Sequence, residues 1–124
     1  MTLDKELLIE GDCFSIYEII RDGKPLIKKF LLSLPSDLLE KIKKELQFIA
    51  FKGTPRNVQK FAYEGDGIWA IKAKQVRIYC FYEGNRLILL AHGVVKKRPK
   101  ANPVDLEKAR TLRSEWKKMK GGMQ

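Results

Sequence analysis

The chain has 124 residues, 44% of them apolar, and a formal net charge of +10. That length suits one domain with one substantial core, and no apolar run approaches the length of a membrane span. Two distant cysteines and a single histidine argue against a disulfide scaffold and against a zinc site, while the charge points to a polyanionic partner: nucleic acid, an acidic protein or a membrane surface.

Met1 to Gly11 reads as a leader of mixed character, partly ordered or disordered. Met1 to Asp12 lacks the basic-then-apolar pattern of a secretion signal, so a cytoplasmic location is expected. Phe14 to Ile20 alternates as a first strand. Asp22-Gly23-Lys24-Pro25 is a turn, and Pro25 suits the first position of a helix. Leu26, Ile27, Phe30, Leu31 and Leu34 then form one apolar stripe.

Pro35 ends that helix, and Ser36 is placed to cap the next. The second helix carries Leu38, Leu39, Ile42, Leu46, Ile49 and Ala50 on one side and ends at Lys52-Gly53. Two helices joined so closely are expected to form an antiparallel hairpin whose stripes cover the core face of a sheet. Thr54 to Asp66 reads as a long connection, of a length that is often functional.

The chain is organised around Gly67 to Arg98. Ile68–Ala73, Val76–Tyr82 and Leu87–Val95 read as three strands rich in β-branched, aromatic and aliphatic residues. A two-residue turn at Gly84-Asn85 would pair Tyr82 with Leu87 and set Arg77 opposite His92. A turn at Lys74-Gln75 would set Lys72 opposite Arg77. Opposed residues share a face. One face then holds Trp69, Ile71, Ala73, Val76, Ile78, Cys80, Leu87, Leu89, Ala91 and Val95 as a core. The other carries Lys72, Arg77 and His92 in a row, with Lys97 just beyond. Such a row either splays into water or holds an anion, phosphate being the match for an arginine fork. Cys80, on the core face, is expected to be a free buried thiol.

The row runs into Lys96, Lys97, Arg98 and Lys100. From Lys96 onward there are ten Lys or Arg against three Asp or Glu, which suggests a shared binding surface. Pro99 and Pro103 bracket a short linker. Asn102 can cap a last helix that starts at Pro103, with Leu106, Ala109, Leu112 and Trp116 as a narrow stripe. Gly121-Gly122 ends it, and residues 119–124 read as a tail. Trp69 and Trp116 are expected to be core anchors. Tyr79 and Phe81 either stack on bases or pack against the last helix or a partner protein. The whole, residues 1–124, is one α+β domain: an antiparallel sheet with an N-terminal strand, a helical hairpin on one face, a three-strand meander and a C-terminal helix.

The order and spacing of four segments resemble the RelE/ParE superfamily of type II toxin–antitoxin toxins, closest to its HigB-like, phage-derived toxin-like branch. Gly23-Lys24-Pro25 to Leu34-Pro35 matches "GK-P-…-F-L-SLP", and Gly65 to Trp69 matches the start of "GDGLWELR". Arg77 to Tyr82 matches "YRVFYF", and Leu89 to Lys97 matches "VLLHGFVKK". The likeness runs from about Phe14 to Trp116. It implies a ribosome-dependent endoribonuclease that cuts mRNA, contacts ribosomal RNA, uses no cofactor and is neutralised by an antitoxin, expected to be of helix-turn-helix type. It also implies that the first strand lies beside the last.

In such toxins the RNA 2′-hydroxyl attacks its own 3′-phosphate. Carried over by the resemblance, Arg77 would hold that phosphate and Lys72 would act as base or charge stabiliser. Lys97 takes the place of the basic residue past the last strand. His92 is the one imidazole, suited to general acid–base work. Lys96, Arg98, Lys100 and Tyr79 would contact RNA. The chain departs from the pattern at Ala70, at Lys72, where many HigB-like members have arginine, and in having no tyrosine between Asn102 and Gln124. Two other readings stay open: a gyrase poison of ParE type without nuclease chemistry, and an inactive RNA-binding module of prophage origin.

Overall fold

The computed structural model describes residues 2–98, 100 and 102–121. Pro99, one bracket of the expected linker, and Gly122 lie outside the described residues. The strands are β1 (Leu3–Glu10), β2 (Ser15–Arg21), β3 (Lys24–Pro25), β4 (Phe61–Gly65), β5 (Ile68–Ala73), β6 (Val76–Glu83) and β7 (Leu87–Val95). The helices are α1 (Leu26–Leu32), α2 (Ser36–Lys52) and α3 (Pro103–Gly121). Among the described residues one sheet forms, in the order β1-β2-β7-β6-β5-β4, with short β3 on β2. All pairings are antiparallel except β2 with β7, which run parallel. Strand β2, read from the sequence as the first strand, thus lies beside the last strand, β7, as the resemblance implied.

The N-terminal stretch is a strand, not a loose leader. Leu3 to Glu10 pairs with β2, and a bulge between Leu7 and Ile9 shifts its register. The bulge sends Leu3 to one side of the sheet and Leu8 and Ile9 to the other. It breaks the period-two alternation by which a strand is read. The connection after α2 likewise contains β4, which forms a hairpin with β5. Its turn is Asp66-Gly67, both at positive φ (52° and 78°), the geometry that favours Asp-Gly in a tight hairpin.

The helix ends largely follow the expected chemistry. Gly53 closes α2 at φ 99°, and the Asn102 side chain accepts the Val104 N–H at 2.9 Å at the start of α3. At α2 the cap position belongs to Pro35, and Ser36 is already helical. Helix α3 continues through 119–121, where a tail was expected, because Met119 still packs on the core. No helix among the described residues is long and apolar enough to cross a membrane.

The sheet is covered on both faces. Ile27, Ile42, Leu46 and Ile49 of α1 and α2 pack on Ile71, Val76, Ile78, Cys80, Ile88 and Leu90. Ala109, Leu112 and Trp116 of α3 pack on Ile68, Ala70, Tyr79, Phe81, Leu89 and Ala91. Leu89 and Ala91 therefore lie on the face opposite to the one expected. The β6–β7 turn spans residues 84–86, with Glu83 opposite Leu87, so β7 enters one residue out of the expected register. A bulge between Tyr79 and Cys80 on one side and Leu90 and His92 on the other shifts it again. Arg77 consequently opposes Val94, and His92 opposes Tyr79. The two slips restore parity, so His92 still shares a face with Arg77 and Lys72.

Candidate nucleic-acid interface

The α3 face of the sheet is only partly roofed. Helix α3 starts beside His92, where Asp105 meets the ring, and ends near the far end of β6, where Trp116 meets Glu83. Lys72, Arg77 and Val94 follow His92 along the same face toward the strand ends. There Lys72 opposes Arg77 directly, and the backbone N–H of Lys96 is held at 2.7 Å by the carbonyl of Gln75 in the β5–β6 turn.

These placements bring three cations together. Partial burial, then the neighbouring charges of Arg77 and Lys72, hold Lys96 below the ordinary lysine range, against an opposing pull from Glu64. Arg77 donates to the carbonyls of Lys74 (2.6 Å) and Val76 (2.9 Å). The ammonium of Lys72 donates to the Val58 carbonyl at 3.1 Å. Neutral carbonyls orient both groups and leave their charge in place. The opposed pair Lys72/Arg77 was legible in the sequence; Lys96, expected only as a peripheral contact, is its third member.

His92 stands diagonal to Arg77 on the same face. Its Nε2 lies 2.7 Å from Oδ1 of Asp105, and its ring runs parallel to Tyr79 (6.5 Å between centroids, 7° between planes). Asp105 was missed in the sequence because an acid in the first turn of a helix is ordinary dipole chemistry. Glu64 of β4 was missed because β4 was read as loop. Burial, and then Glu64 and Asp105, push the Tyr79 phenol up, with Arg77 pulling the other way.

Tyr79 does not offer a stacking surface. The residue is 1% exposed and buried under α3, because the last helix supplies the cover that a base would need to displace. Lys97, Arg98 and Lys100 are exposed. They line, with Lys96, one side of a cleft of about 900 Å³, whose other side is Asn102, Pro103 and Asp105. The cleft lies between the end of β7 and the start of α3, directly beyond the three-cation cluster. Basic side chains thus line one wall of the cleft, Lys96 among them, and Asp105 lies opposite.

The family described as "Phage derived protein Gp49-like (DUF891)" matches residues 29–114. The chain belongs to the Gp49-like family. No curated protein matches it. The Gp49-like match runs from α1 into α3 and contains Lys72, Arg77, His92, Lys96 and Asp105, while β1 and β2 precede it. Gp49-like proteins are a toxin-like family of toxin–antitoxin systems, and the chain is consistent with a toxin-like module.

Proposed function

We propose that this Gp49-like protein is the toxin of a type II toxin–antitoxin pair and acts as a ribosome-dependent mRNA endoribonuclease. The observation that carries the reading is the convergence of Lys72, Arg77 and Lys96 beside an imidazole fixed by a carboxylate. Like charges on opposed strand positions are destabilising when nothing lies between them, and a phosphodiester turns that repulsion into binding.

In the proposed reaction the 2′-hydroxyl attacks the adjacent phosphorus. The bond from phosphorus to the 5′-oxygen of the next nucleotide breaks. The products are a 2′,3′-cyclic phosphate and a 5′-hydroxyl. Arg77, Lys72 and Lys96 stabilise the negative charge that builds on the phosphoryl oxygens. His92 takes the 2′-hydroxyl proton through Nδ1, since Nε2 is engaged by Asp105, and the departing 5′-oxygen takes its proton from solvent. Lys97, Arg98 and Lys100 hold flanking phosphates of mRNA or ribosomal RNA, with the strong salt dependence of such contacts. An antitoxin would act by covering this cleft.

The test is primer extension on a reporter mRNA in a purified translation system, with wild type and Arg77→Ala, each with and without ribosomes. Cuts within codons that need ribosomes and vanish in the variant are expected. Translation or growth arrest without any cut would refute the nuclease reading and direct attention to gyrase.

A further inference from the structure

A second, smaller groove of about 330 Å³ runs around the β5–β6 turn, between α2 and the connection that precedes β4. Its walls carry Lys41 and Lys44 of α2, Lys60, and Lys72 and Lys74 at the turn, with Glu45 among them. Two of these lysines are neutralised locally: Lys44 lies 3.6 Å from Glu40, and Lys60 lies 3.4 Å from Glu45. Among the described residues neither Lys41 nor Lys74 forms an ion pair with a carboxylate. Both line the groove, and the closeness of Lys74 holds Lys41 below the ordinary lysine range despite a counter-pull from Asp37. Both residues are exposed, so water alone would let them part.

The turn ties this pair to the cleft described above. Lys74 sits at φ 55°, in the left-handed region that a lysine enters at a cost. Its carbonyl takes the Arg77 guanidinium, while the residue lines the groove together with Lys41. Lys72 lines this groove and also opposes Arg77. One turn thus presents cations to both sides, with Lys72 shared between them.

We propose that this groove is a second RNA-backbone subsite, in which Lys41 and Lys74 share a phosphodiester beside the one at Arg77 and Lys72. The inference rests on the RNA-directed function proposed above. The phosphodiester belongs either to the cleaved strand or to ribosomal RNA, and two probes separate these. The first is a short, uniformly 2′-O-methylated RNA strand, which binds but cannot cyclise, titrated by fluorescence anisotropy over a range of salt. The second is purified ribosomes, assayed by co-sedimentation.

The variant is Lys41→Gln with Lys74→Asn, asparagine being tolerant of the left-handed backbone. The control is Lys117→Gln with Lys118→Gln on the exposed side of α3. For the strand, the variant is expected to bind several-fold more weakly. Its slope of log affinity against log salt should be smaller by about 0.7, the value for a lost single-strand phosphate contact. The control should match wild type. Loss confined to ribosome binding assigns the groove to ribosomal RNA. Unchanged binding of both probes overturns the proposal, as does a wild type that binds neither. Strand binding that depends on Lys41 and Lys74 in a protein that never cuts mRNA would refute the nuclease and leave the subsite standing.

Discussion

Nε2 of His92 lies 2.7 Å from Oδ1 of Asp105, joining the last strand of the sheet to the first turn of α3. An ionised carboxylate only accepts, so Nε2 carries the proton and Nδ1 is the basic nitrogen. If His92 works as a general base, His92→Ala should slow ribosome-stimulated cleavage on the order of 10²-fold. Asp105→Asn should also slow cleavage, because an amide can both donate and accept and no longer fixes the tautomer. Binding of the 2′-O-methylated strand should survive in both. A His92→Ala variant that cuts at the wild-type rate would reduce the pair to an anchor for α3.

Arg77 faces a sharper test, since its fork and its charge can be separated. Arg77→Ala should lower the cleavage rate on the order of 10²–10³-fold, the usual cost of removing one donor to a developing oxyanion. Arg77→Lys keeps the charge but loses the planar fork, so most of the defect should persist. Both variants lose the bonds to the Lys74 and Val76 carbonyls. They should be destabilised by about 1–2 kcal/mol, read as a melting point a few degrees lower. A variant that no longer folds would instead mark Arg77 as structural.

Much of this arrangement could be read from the chain. The hairpin at Lys74-Gln75 was legible because the alternation in β5 and β6 allows one register, and it gave the Lys72–Arg77 pair directly. The partner of His92 was not, because the β6–β7 turn is one residue longer than Gly84-Asn85 suggests and a bulge follows it. Neither event changes composition or hydrophobic content. The second core was hidden for a related reason: Leu89 and Ala91 are as apolar as Ile88 and Leu90, so β7 reads the same from either face. Tyr79 was assigned to the correct face, but only α3 shows that the face is roofed there.

The glycine that follows His92 has its own packing role. A Cβ at Gly93 would lie 2.3 Å from Cδ2 of Phe30, whose ring rests on the bare backbone. Gly93→Ala should therefore force α1 off the sheet and destabilise the fold by about 1–3 kcal/mol, the usual cost of overpacking. Adding Phe30→Ala should recover part of that loss, since the methyl then fills space the ring vacates. A thermodynamic cycle by denaturant unfolding measures the coupling. Strictly additive effects would mean that the ring and the glycine do not touch in solution.

At the other end of α3, one carboxylate ties three elements together. Glu83 of β6 accepts from Lys5 of β1 at 2.8 Å and from the indole N–H of Trp116. Burial alone would push its carboxyl up. The bonds from Lys5 and Trp116, with the charges of Lys5 and Lys120, outweigh this and hold it below the usual glutamate range. A group depressed in the folded state adds stability above its unfolded pKa, and that stability is lost as pH falls through the folded value. Wild type should therefore lose this contribution below about pH 4.3, the ordinary glutamate pKa. Glu83→Gln should be less stable by about 1–2 kcal/mol near neutrality, as expected for a hydrogen-bonded charge that is partly exposed. The gap between the two should close in acid. Melting curves of wild type, Glu83→Gln and Lys5→Met across pH measure it. Curves that stay parallel from neutrality into acid would mean that the carboxylate contributes by shape alone, and that β1 is held by its strand pairing and by Leu3.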